Sequence, residues 1–222
     1  QYEWAIPALR KLMEIQPDPD LDIERAEKLY DSLKAAKGRV PTQKEDIKFL
    51  VRAAVNVKTD PFKDDLTRRK QLVELEELTR DLGTQLQQLA QKTDDRKTYL
   101  QAATAYKDYL SLFRPEKYVR DIMHNRADAL FAAHAYPEAA RQFEELELYE
   151  DRAKDAKGSE AAAYGALLSH FSALKQGEVD RISAFEVADA RQALKLDGAK
   201  FITKYPRNPN ALTIKFNIAR AH

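Results

Sequence analysis

Two stretches of the chain share one pattern of helix, turn and helix. The first begins at Tyr109 and reads YLSLFRPEKYVRDIMHNRADAL, and the second begins 92 residues later at Phe201 and reads FITKYPRNPNALTIKFNIARAH. Superposition pairs Tyr109 with Phe201, Leu110 with Ile202, Phe113 with Tyr205, Ile122 with Ile214, Asn125 with Asn217, Ala127 with Ala219 and Ala129 with Ala221. An internal helix–turn–helix echo predicts a stack of helical repeats, each burying its apolar face against its neighbours.

The composition favours helices and excludes several classes of function. Only six glycines occur in 222 residues, and strong helix formers are abundant, so we expect an all-α chain. The net charge of +1 gives no field that would attract nucleic acid. The absence of cysteine excludes disulfides and thiolate chemistry, and no apolar run approaches the roughly 18–20 residues of a membrane-spanning helix. Because the chain begins and ends within a helical pattern, we expect the natural protein to continue on at least one side.

The apolar periodicity, together with capping and helix-breaking residues, predicts about ten helices. Thr42 with Glu45, and Ser183 with Glu186, have the spacing of capping boxes, and Gly38 is placed to end a helix. The predicted helices are approximately Pro7–Gln16, Asp22–Lys37, Thr42–Val57, Asp60–Lys92, Tyr99–Phe113, Glu116–Ala133, Pro137–Tyr149, Gly158–Gln176 and Ser183–Lys204, with a last one containing Ala211.

The longest predicted helix carries leucines from Leu66 to Leu89 along a broad apolar face. Such a face packs against a partner helix, either within the chain or in a second copy. Arg69, Glu76 and Gln85 interrupt a strict heptad seam, which favours packing within the chain. Self-assembly through this helix stays open as a weaker alternative, so the oligomeric state is undecided.

One segment, NRADALFAAHAYPEAARQFEEL, resembles the tetratricopeptide repeat family. Ala127 matches the small residue of the family's first helix, Leu130 its large apolar partner, Tyr136 the aromatic at the turn, Ala139 the alanine of the second helix and Phe143 the aromatic one turn later. Weaker matches are Tyr164, Leu167, Leu168 and Phe171, followed by Ile218, Ala219 and His222. The resemblance implies antiparallel helix–turn–helix repeats stacked in a right-handed superhelical solenoid.

The repeats are irregular. The equivalent positions Ala127, Leu168 and Ala219 are separated by 41 and 51 residues, against roughly 34 in the family. The phrase FITKYPRNPNAL is similar to repeats in bacterial envelope proteins of the outer-membrane assembly lipoprotein and Tol-Pal coordinator type. That similarity implies a periplasmic or otherwise extracytoplasmic setting, with a cytoplasmic one as the alternative. We expect residues 1–94 to form a helical N-terminal region, for which divergent repeats are an open alternative, and residues 95–222 to form the repeats, the last one truncated.

No catalytic constellation is recognisable. The four histidines lack the spacing of HExxH, and neither a glycine-rich phosphate loop nor a GxSxG elbow is present. Three pairs of carboxylates are adjacent in sequence: Asp64–Asp65, Asp94–Asp95 and Glu144–Glu145. Neighbouring residues point in different directions on a helix, which indicates surface positions and not a shared acid–base site. We therefore predict a non-enzymatic protein with no catalytic, cofactor or metal site.

The family resemblance also implies a partner-binding surface. If the register set by Ala127 and Leu130 holds, Asp121, His124, Asp128 and Phe131 lie on the first-helix face that lines the family's concave groove, where a peptide or helix binds. His124 and Asp128 stand where some members use lysine and asparagine to grip a C-terminal carboxylate, so chaperone-tail binding is not expected. The leading hypothesis is a protein-interaction scaffold within a cell-envelope or motility assembly. The alternative is a superhelix that accompanies a cell-wall lytic domain encoded outside this chain.

Overall fold

The computed structural model describes residues 3–15, 19–36, 43–113, 117–177 and 183–220. Within these ranges the chain forms α-helices and no strand, as the composition predicts. Their bounds are α1 Ala5–Ile15, α2 Pro19–Ala36, α3 Lys44–Thr59, α4 Asp65–Thr93, α5 Arg96–Leu112, α6 Val119–Ala132, α7 Tyr136–Ala153, α8 Ala156–Gly177, α9 Ala184–Lys204 and α10 Ala211–Arg220. The all-α prediction is confirmed.

The helices group into two compact units, Gln1–Val119 and Arg120–His222. In the first unit each helix from α1 to α5 packs on the next, and α3 also contacts α5. In the second unit α8 lies between α7 and α9, and α10 packs on α9. Packing between helices that follow one another in sequence is what a chain of helical hairpins requires.

Some predicted helix ends are confirmed and others are wrong. Ser183 caps α9 as predicted: its Oγ accepts a hydrogen bond from the Glu186 N–H, and the Glu186 carboxylate accepts one from the Ser183 N–H. The long helix α4 does not begin at Asp60 and Pro61, because Asp60 ends α3 and the Asp64 carboxylate accepts from the Thr67 N–H at 2.9 Å to begin α4. The predicted roles of Thr42 and Gly38 lie outside the described residues.

Helix α8 also begins earlier than Gly158, the predicted start. The Asp155 carboxylate accepts a hydrogen bond from the Gly158 N–H at 2.9 Å, and the Asp155 carbonyl accepts one from the Ser159 N–H. Asp155 therefore caps the helix, and Gly158 lies inside its first turn.

The 92-residue echo appears as repeated local geometry. The Phe113 N–H bonds to the Tyr109 carbonyl at the end of α5, and the Tyr205 N–H bonds to the Phe201 carbonyl at the end of α9. The rings of each aromatic pair are tilted against each other, with centroids 5.1 Å apart in the first pair and 5.0 Å in the second. The matched isoleucines of the following helices, Ile122 and Ile214, are both buried. In both places an aromatic pair thus lies at a helix end, and the matched isoleucine of the next helix is buried.

Helix α4 uses its leucine face within the chain. Leu75, Leu82 and Leu86 are buried, and α4 packs against both α3 and α5. The predicted intramolecular packing is confirmed for this face. Leu66, Val73 and Leu89 are exposed, so the apolar stripe is only partly used.

A buried ion pair joins α1 to α3. Arg10 donates from Nε to Oδ1 of Asp46 at 2.8 Å and from Nη2 to Oδ2 at 2.5 Å. Asp46 also accepts a hydrogen bond from the Gln43 N–H at the start of α3. The pair therefore fixes α1 against the same turn that begins α3.

Close contacts between α7 and α8 depend on small residues. A methyl group placed on Gly165 would lie 2.8 Å from two ring atoms of Phe143. Leu168, which the family match places at the small-residue position, is instead 40% exposed. Gly165, three residues before Leu168, is thus a position where α8 lies close against the Phe143 ring of α7.

Helix α9 completes the core of the second unit. Leu194 and Phe201 of α9 pack with Ala163 and Leu167 of α8 and with Ile214 of α10. Gly198 lets α10 approach, since a methyl group there would lie 2.7 Å from Cδ1 of Ile218. The three helices α8, α9 and α10 therefore share one closely packed core.

Candidate functional site

The predicted partner-binding residues lie on one face of α6. Asp121, His124 and Asp128 are exposed, whereas Ile122 and Leu130 on the opposite side are buried. We call this exposed set, with Phe131, the α6 face. The division follows from helical periodicity, because residues three and four apart share a side of the helix. The register inferred from the sequence is consistent with this exposure; partner binding itself stays a prediction.

His124 and Asp128 form an ion pair on the α6 face. The His124 Nδ1 and Asp128 Oδ2 atoms are 3.1 Å apart, and the two side chains are 55% and 49% exposed. The hydrogen bond to Asp128 raises the pKa of His124, and the charges of Asp128 and Asp121 act in the same direction, against partial burial. As the pH falls, the His124 imidazole on this face therefore becomes protonated at a higher pH than an ordinary histidine does.

Replacing Asp128 with Asn is expected to lower the pKa of His124 toward the ordinary value of about 6.5. Asp121→Asn is the matched control, expected to lower it less because Asp121 acts only through its charge. The measurement is a pH titration of the histidine ring signals by NMR. An unchanged His124 pKa in Asp128→Asn would contradict the pair.

The same pair sets a small pH dependence of stability. Because the folded-state pKa of His124 is raised, its contribution is complete below the unfolded-state pKa and is lost as the pH rises through the folded-state pKa. Since both groups are about half exposed, this contribution stays within the roughly 0.2–1 kcal/mol of a surface ion pair.

Phe131 stands at the end of the α6 face and is half-buried. Its ring meets Tyr136 edge-on, with centroids 5.2 Å apart, and Tyr136 stacks on His134 at 5.3 Å. His134 ends α6 in the left-handed conformation with a φ of 60°. The turn between α6 and α7 therefore holds the Phe131 ring in place and leaves part of it accessible.

The adjacent carboxylates that the sequence assigns to the surface have structural roles in two cases. Asp64 caps α4, and Asp95 caps α5 by accepting from the Lys97 and Thr98 N–H groups. Hydrogen bonds from Thr67 and Thr98, respectively, lower the pKa values of both groups. In the third pair the side chains diverge, since Glu145 is exposed and Glu144 lines a cleft formed by α7, α8 and α9.

That cleft holds a cluster that the sequence analysis missed. Glu144 of α7, His170 of α8 and Asp197 of α9 have ligand-type atoms all within 4.8 Å of one another. His170 is buried, and its Nε2 lies 3.0 Å from Oε1 of Glu144. The three residues are separated by 26 and 27 positions on three different helices, so neither periodicity nor a short motif links them.

No helix of the described residues is both long enough and apolar enough to cross a membrane. No known protein family matches the sequence, and a comparison with curated proteins finds no significant match.

Proposed function

We propose that the chain is a non-enzymatic scaffold whose α6 face binds a segment of a partner protein. The observation that carries this proposal is the exposure of Asp121, His124 and Asp128 on one side of a helix whose other side is buried. A helix fixed by its buried side holds exposed groups in place, which lowers the entropy lost when a partner binds. The tetratricopeptide resemblance supports the same assignment.

The packing of the hairpin formed by α6 and α7 supports this division of roles. Ala127, Leu130, Ala139 and Phe143, which match the family pattern, are all buried. Arg126 of α6 donates a hydrogen bond to the Gln142 side chain of α7. The matched residues thus pack within the chain, and the α6 face stays accessible to a partner protein. Stacking of such hairpins in a right-handed superhelix stays a prediction, as does a cell-envelope setting.

The chemistry of the α6 face selects the kind of partner. Two carboxylates, one of them paired with a histidine, favour a segment that carries lysine or arginine. The accessible part of the Phe131 ring offers a surface for a guanidinium or an apolar side chain. The proposed occupant is therefore a basic peptide or helix of another protein.

Selection of a displayed random peptide library on the folded chain is expected to enrich basic peptides. An enriched peptide, once synthesised, is expected to bind at least about tenfold more weakly to the variant with Asp128→Lys and Phe131→Ala, a loss of about 1.4 kcal/mol. The loss arises because the variant reverses a charge and removes the ring at the same surface. Fluorescence anisotropy gives the affinity, and far-UV circular dichroism verifies the fold.

The matched control is Glu145→Lys, which makes the same charge reversal at an exposed position of α7. This control is expected to change the affinity by less than about threefold, because Glu145 belongs to α7 and not to the α6 face. Enrichment of acidic or uncharged peptides, or an equal loss in both variants, would exclude the α6 face as the binding surface.

A further inference from the structure

We propose that Glu144, His170 and Asp197 form a binding site for a divalent transition-metal ion of the zinc class. Each residue comes from a different helix, so the cluster does not arise from a run of acidic residues along one surface. This proposal is independent of partner binding at the α6 face, since none of the three residues belongs to that face.

The donor set suits zinc. One imidazole nitrogen and two carboxylate oxygens are ligands that Zn²⁺ accepts, and three protein ligands leave a fourth position for water. The softer imidazole favours Zn²⁺ over Mg²⁺ and Ca²⁺, which prefer oxygen ligands alone.

The geometry is close to what binding needs. Metal–ligand bonds of about 2.0–2.2 Å place tetrahedral ligand atoms roughly 3.3–3.6 Å apart. The His170 Nε2 and Glu144 Oε1 atoms are already 3.0 Å apart, and all three ligand atoms lie within 4.8 Å. The Asp197 side chain is 34% exposed, which leaves it room to rotate toward the other two.

The surroundings provide access and charge. Glu144, His170 and Asp197 line a cavity of about 350 Å³, together with Glu186, Asp189, Arg141 and Lys200. The four carboxylates outnumber the two basic side chains, so the cavity attracts cations. His170 contributes a buried imidazole that cannot turn freely to solvent, and it supplies the fixed ligand around which the two carboxylates close.

Lys200 competes with the metal for Asp197. Its Nζ lies 2.7 Å from Oδ1 of Asp197, and this hydrogen bond raises the pKa of Lys200. A metal ion must displace the ammonium group from that oxygen. Lys200→Gln is therefore expected to bind zinc several-fold more tightly than the wild type, whereas Lys215→Gln on α10 is expected to leave the affinity unchanged.

Calorimetric titration of zinc chloride into the folded chain tests the site at about pH 7.5, where an ordinary imidazole is neutral. We expect one ion per chain and no comparable binding of magnesium. Glu144→Gln and Asp197→Asn are expected to weaken zinc binding by more than about tenfold, because losing even an outer hydrogen-bond partner of a metal ligand costs about 10–100-fold. Both residues are partly exposed, so these variants should fold even if His170→Gln does not.

His124→Gln is the matched control, because it removes the imidazole of the other histidine–carboxylate pair, which lies on a single helix. It is expected to leave zinc binding unchanged. Cobalt provides a second readout, since Co²⁺ in a tetrahedral site absorbs visible light. The proposal is overturned if zinc does not bind at one ion per chain, if magnesium binds as tightly, or if His124→Gln weakens binding as much as Asp197→Asn does.

Discussion

Replacing Asp46 with Asn is expected to destabilise the unit formed by Gln1–Val119 by about 3–5 kcal/mol. The Asp46 side chain is fully buried and that of Arg10 is 9% exposed, so water cannot replace the lost carboxylate charge. The guanidinium bonds to both carboxylate oxygens, and the variant removes the carboxylate charge from this buried pair. The penalty comes from removing one member of a buried ion pair, because the intact pair itself contributes little net stability once its desolvation is counted.

Urea unfolding followed by circular dichroism measures the effect of Asp46→Asn. Glu24→Gln is the matched control: it breaks an ion pair with Lys28 on α2 whose side chains are 60% and 62% exposed, and it is expected to cost far less stability than Asp46→Asn. A double variant, Arg10→Met with Asp46→Leu, is expected to recover most of the lost stability, since it removes both charges together. Equal destabilisation by Asp46→Asn and Glu24→Gln would show that the Arg10–Asp46 pair is accessible to water.

Replacing Gly165 with Leu is expected to destabilise the unit formed by Arg120–His222 by about 2–3 kcal/mol. Leucine has the higher helix propensity, by somewhat less than 1 kcal/mol, but its first side-chain carbon would already lie 2.8 Å from the Phe143 ring. Phe143 is buried, so overpacking against its ring outweighs the gain in helix propensity. The melting temperature of that unit is expected to fall by roughly 9–14 °C.

Ala161→Leu provides the control for Gly165→Leu, because Ala161 lies on the exposed face of the same helix. That variant is expected to stay within about 0.5 kcal/mol of the wild type. Combining Gly165→Leu with Phe143→Ala is expected to destabilise less than the sum of the single variants, since the leucine fills the space that the ring vacates. Additive effects of the two changes would mean that the two side chains do not meet.

Local sequence signals predicted the helices and several of their ends. The hydroxyl of Ser183 and the carboxylate of Glu186 act within one turn, so their capping role follows from a spacing of three residues. The echo between Tyr109 and Phe201 likewise predicted two helix ends of the same geometry. The start of α4 was predicted wrongly, because Asp60–Pro61 and Asp64 both carry start signals and only the structure shows that Asp64 accepts the first-turn N–H.

The α6 face could be assigned from sequence because exposure on a helix follows its register. Asp121, His124 and Asp128 share a side once Ala127 and Leu130 are placed inside, and the structure shows that exposure. What binds there depends on a partner, and partner binding stays a prediction. In α8, Gly165 lies against the Phe143 ring of α7 and Leu168 is 40% exposed, and the tetratricopeptide match stays a prediction.

The sequence by itself determined the helices, their order and the exposed side of α6, because these depend on contacts within one or two turns. Only the tertiary structure decided that Asp46 meets Arg10, that Gly165 meets Phe143 and that Glu144, His170 and Asp197 converge. Such contacts depend on the offset of one helix along its neighbour and on the rotation of each helix about its own axis. Many distant side chains set that alignment together, so no short sequence pattern records it.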